Sequence, residues 1–94
     1  MAIKFHNAAV SLVRRQRVRM YERFVVALVA HTMSIADDDD KLTEDEITSI
    51  LYAEAARRYS HPRVVELLEN ILPGLAKAIW AWTLKRRGYE HVSN

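Results

Sequence analysis

The protein has 94 residues, of which 50% are apolar and 28% charged, with no cysteine; this describes one folded domain and excludes disulfides, thiolate metal sites and a disordered chain. Its net charge of +2 hides three blocks: +5 over residues 1–35, −6 over residues 36–46 and +3 over residues 47–94. The longest apolar run, Phe24 to Ala30, falls far short of the ~20 residues a bilayer span needs, so no membrane segment is expected; with no signal peptide recognisable, the expected setting is the cytoplasm.

Glycine and proline are absent before Pro62, and residues 3–35 read as one long helix. On such a helix Val18, Tyr21, Phe24, Val25 and Leu28 form an apolar face. One neighbouring helix cannot cover it all, so Val18, Tyr21, Val25 and Leu28 are expected to pair two copies of the chain. Arg14 and Arg17 project onto that same face. Either the chain bends around Arg14-Arg15-Gln16-Arg17, making residues 3–13 a separate short helix, or these arginines meet a partner's carboxylates. Arg15, Arg19 and Arg23, spaced four apart, form a second stripe on the polar side. Three readings compete for it: a solvated face, a docking surface for an acidic partner (the chain's own acidic turn included), and a phosphate-tracking surface for nucleic acid. No aromatic residue interleaves the stripe and no helix-turn-helix glycine precedes a reading helix, which favours protein docking.

Asp37-Asp38-Asp39-Asp40 then separates two helical patterns. A twelve-residue calcium loop would need a carboxylate where Ile35 stands and a glycine where Asp40 stands, so a calcium site is not expected. Thr43 with Glu46 is a capping box and Leu42 with Ile47 a hydrophobic staple, which together start a helix at Glu44. Over residues 44–59 there are two apolar stripes, Ile47-Ile50-Leu51 and Tyr52-Ala55-Ala56-Tyr59, as in a central helix. Ser60-His61-Pro62 ends it and opens the next, with proline in the first turn. Residues 62–72 present Val64, Leu67, Leu68 and Ile71; residues 74–87 present Leu75, Ile79 and Trp82, with Trp80 on another side. Pro73-Gly74 either divides these two helices or kinks one. Lys85-Arg86-Arg87 before Gly88 is a favourable ending, and residues 89–94 are expected to be a loose tail.

Catalytic and metal signatures are missing. His6, His31, His61 and His91 form no pair at helical spacing, neither glycine sits in a phosphate-cradling loop, and the serines lack a nucleophile elbow. Glu46 is explained by its cap. No enzyme, metal or cofactor is expected.

The acidic turn followed by Leu42-Thr43-Glu44-Asp45-Glu46 resembles the turn of tellurite-resistance TerB-like helical domains, without their glycine after aspartate. Leu12, Arg14, Gln16 and Glu22-Arg23, followed by Leu42-Thr43, Glu46 and Ala55-Ala56, resemble the haemolysin-expression-modulating (Hha/YmoA) family, with Arg57 where that family has an aspartate. The latter resemblance implies a small helical protein that binds a nucleoid-structuring protein and alters transcription. The expectation is therefore an all-α chain, a compact bundle of about four helices in a single domain over residues 1–94. Its expected function is that of a small non-enzymatic regulator or adaptor that binds a protein partner through Arg14, Arg15, Arg17, Arg19 and Arg23. A nucleic-acid-binding module using the same arginines is the alternative.

Overall fold

The computed structural model describes residues 4–88 and contains four helices: α1 (His6–Arg15), α2 (Glu22–Asp38), α3 (Glu44–Arg58) and α4 (Pro62–Arg86). The all-α expectation holds. Of the two readings of residues 3–35, the continuous helix fails and the bend around Arg14-Arg15-Gln16-Arg17 is realised: the chain breaks after Arg15 and resumes at Glu22.

Backbone hydrogen bonds supply the reason for the break. Arg17 adopts the left-handed conformation at φ 61°, its N–H donates to the Arg14 carbonyl at 2.9 Å, and the Val18 N–H reaches the Val13 carbonyl at 3.4 Å. This is the six-to-one, five-to-two pairing of a Schellman ending, which occupies orphan carbonyls at a helix C-terminus. Val13 and Val18 are both buried in one core cluster, the apolar contact that accompanies the motif. Arg14 and Arg15 stand in the last turn, where cations suit the negative end of the helix. Tyr21, also left-handed at φ 55°, enters α2 without a side-chain cap.

The central helix is α2, not α3. It buries Val25, Val26, Leu28, Val29, Ala30, Thr32, Met33 and Ala36, more than one stripe, because it packs on all three other helices, as α4 also does, whereas the backbones of α1 and α3 do not approach each other closely. In α3 the capping box forms as expected: the Glu46 N–H donates to Thr43 Oγ1 at 3.2 Å and the Thr43 N–H donates to Glu46 Oε1 at 2.9 Å. Only Ile47, Leu51 and Ala55 of that helix are buried, while Tyr52 and Ala56 of its second stripe are exposed.

Pro73 lies inside α4, a single helix of 25 residues. Its missing N–H frees a carbonyl one turn back, but Pro73 is itself exposed, where water can satisfy the freed group. One face of α4 runs through Leu68, Leu72, Leu75, Ile79 and Thr83, all buried. Gly88 takes φ 84° and ends the helix, the position where glycine's lack of Cβ is used. Among the described residues no helix is long and apolar enough to cross a membrane. The expected tail, residues 89–94, lies outside the described residues.

Candidate interaction surface

Because the chain turns at Arg17, the arginines do not form a helical stripe. Arg14 and Arg15 end α1, Arg17 and Arg19 lie in the turn and Arg23 is in the first turn of α2. Like charges four apart on one helix face repel, and the turn removes that arrangement. The break also removes the conflict that put Arg14 and Arg17 on an apolar face: all five arginines are exposed. Arg14 donates from Nε to Glu22 Oε1 at 3.0 Å, tying the end of α1 to the start of α2. Arg15, Arg17, Arg19 and Arg23 form no ion pair among the described residues.

Two apolar residues stand among them. Met20 is 63% and Phe24 54% exposed. Phe24 is held in place by Tyr59, whose ring meets it edge-on at 6.1 Å between centroids and whose hydroxyl donates to the Phe24 carbonyl at 3.1 Å. Sequence reasoning missed both, because it placed Phe24 in a buried run and Met20 on a continuous helix. Starting α2 at Glu22 would have separated Phe24 from the buried set Val25, Val26, Leu28 and Val29.

The face expected to pair two copies requires correction. Val18, Val25 and Leu28 belong to the chain's own core, at 4%, 2% and 0% exposure; Tyr21 alone remains half-exposed. The physical reason is the same break, which folds α1 back over α2 and covers the surface a straight helix would have left open.

The acidic turn lies at the opposite end of α2 from the arginine turn, about 25 Å away at roughly 1.5 Å per residue. It is met by other cations. Arg86 reaches Asp37 Oδ1 at 2.9 Å from both Nε and Nη2, and Lys4 approaches Asp37 at 3.6 Å and Asp38 at 3.9 Å. Arg87 donates to the carbonyls of Leu42 at 2.8 Å and Asp39 at 3.1 Å. Arg86 in turn lies over the rings of Phe5 and Trp82, at 4.9 and 5.4 Å from their centroids, and Arg87 over Trp80 at 5.6 Å. Carboxylates at the C-terminus of α2 oppose the helix dipole, and these arginines offset them. The opposite charge blocks thus do face each other within the fold, but through the basic end of α4 and not through the arginine turn.

A third polar group sits on α3. Glu54 accepts from Arg57 and Arg58, with His31 Nε2 at 3.9 Å. The hydrogen bonds from Arg57 and then Arg58 hold its carboxyl at about 2, below the ordinary 4.5, and the Arg57 guanidinium is correspondingly raised. Among the described residues no group of three or more histidines or carboxylates is placed to hold a metal ion. No protein family, curated protein or solved structure matches the chain.

Proposed function

We propose that this protein is a small non-enzymatic adaptor or regulator that binds an acidic protein partner through its arginine turn. The observation that carries the reading is that exposed Met20 and Phe24 lie within the same eight-residue stretch as exposed Arg17, Arg19 and Arg23, arginines that form no ion pair among the described residues. Exposed methionine, aromatic and arginine side chains in one patch have the composition of an interface centre: apolar anchors supply buried area, and guanidinium groups supply bidentate recognition of carboxylates. Arg17 adds support. A non-glycine residue in the left-handed region costs about 1 kcal/mol, and strain of this kind concentrates at functional sites. The haemolysin-modulator resemblance agrees in class, since those small helical proteins also act by binding another protein.

Exposed arginines without an ion pair also suit a phosphate backbone, so nucleic acid is the second reading. Affinity capture from the native host, with and without nuclease, separates the two. A partner retained after nuclease, and lost when Arg17, Arg19 and Arg23 are all replaced by glutamine, is the expected result. Submicromolar binding of DNA, with a logarithmic salt slope that falls by roughly two to three units in the triple variant, would transfer the function to nucleic acid.

A further inference from the structure

A groove follows the outer face of α2. α1 and α3 flank this helix with no close approach of their backbones. Both run antiparallel to it: Lys4, just before α1, meets Asp37 at the end of α2, and Tyr59, just after α3, meets Phe24 at its start. Phe24, Ala27, His31 and Ser34 are spaced three, four and three residues apart and so share one helix face. A cavity of about 290 Å³ opens over Ala27, Ala30, His31 and Ser34, with Lys4 on the α1 side and Arg58 on the α3 side. The floor is mostly small side chains, so another backbone can approach closely. Two antiparallel walls either side of such a floor are the setting into which a helix ridge packs.

Charge selects the occupant. Lys4 and Arg58 stand on the rim, and exposed Arg23 precedes Phe24 in the first turn of α2. The carboxylate beside the groove, Glu54, is bound by both Arg57 and Arg58, so these two arginines carry one positive charge more than the glutamate offsets. At the far end Lys4 is itself paired with Asp37 and Asp38, so that end carries no excess of positive charge. The groove is thus cationic at the end that meets the arginine turn.

We propose that this groove receives one amphipathic α-helix of a protein partner, with alanine- and leucine-sized side chains on the buried stripe and carboxylates at the end lying over Arg23 and Arg58. The inference rests on the protein-binding reading above and names the element of the partner that is recognised.

The probe is a fluorescein-labelled helical peptide of about 15 residues, with an alanine-leucine stripe flanked by glutamates, and a control peptide with lysine in place of every glutamate. Fluorescence anisotropy on the full chain is expected to give a Kd below about 100 μM for the glutamate peptide and no saturation with the lysine peptide. Ala27→Trp fills the cavity floor from a half-exposed position and is expected to weaken binding at least about tenfold; Ser34→Trp, at the other end of the floor, provides the same check if Ala27→Trp does not fold. Equal binding of both peptides, unchanged affinity in a folded tryptophan variant, or no binding at about 1 mM overturns the groove. Host capture that still depends on Arg17, Arg19 and Arg23 would leave the adaptor reading standing in each of those cases, whereas capture bridged by nucleic acid would remove the reading itself.

Discussion

Arg17 occupies a backbone position for which glycine is the ordinary choice, at φ 61° with no ion pair holding it. Arg17→Gly is expected to raise stability by about 0.5–1 kcal/mol in urea unfolding, because relief of the left-handed strain exceeds the added freedom of the unfolded chain, while weakening partner capture. Gly74 is the converse case. It lies inside α4, and a Cβ there would approach Gln16 Oε1 at 2.8 Å, the movable end of a flexible, exposed side chain. Gly74→Ala is therefore expected to stabilise by up to about 1 kcal/mol, through helix propensity, once Gln16 shifts. Glu54 gives a pH signature. Its carboxyl is lowered from 4.5 to about 2 by Arg57 and Arg58, so folding favours the ionised form. The stability it contributes is complete above pH 4.5 and disappears as pH falls toward 2. Thermal melting across that window should show a decline that is smaller in Glu54→Gln than in the wild type.

At the scale of helices, the capping box of α3 is the clearest sequence signal, and Thr43→Ala should cost about 1 kcal/mol in chemical denaturation by leaving the Glu46 N–H without its acceptor. That start was legible because each of its partners lies within three residues. The stop at Arg17 was legible only as one of two readings, because the Schellman pairing involves backbone groups and a buried valine pair, and its usual marker, a glycine, is replaced by arginine. The arginine turn and its bend stood in the sequence as a conflict between charge and apolar face, which the fold resolves by turning the chain. Pro73 left two readings open for a related reason. A proline's local penalty is visible in sequence, but the packing of Leu68, Leu72, Leu75 and Ile79 along one face, which keeps α4 a single helix, is a tertiary property. Phe24 and Met20 escaped notice because exposure depends on where α2 begins. The Asp37–Arg86 pair, forty-nine residues apart, has no local signature at all.

For the molecule as a whole, the burial of Val18, Val25 and Leu28 changes what a mutation at that face should do. Leu28→Ala is expected to cost about 2–5 kcal/mol, as for any leucine fully enclosed in a core, and the loss should be the same at every protein concentration in urea titration. A stability loss that vanishes on dilution would instead return those residues to a subunit contact. The meeting of Lys4 and Arg86 at Asp37 has a practical consequence. The first and last described turns are neighbours at one pole, and the arginine turn occupies the other. A molecule tethered to a surface through either end of these 85 described residues would stand with Arg17, Met20 and Phe24 facing the solution, like a probe held by its handle.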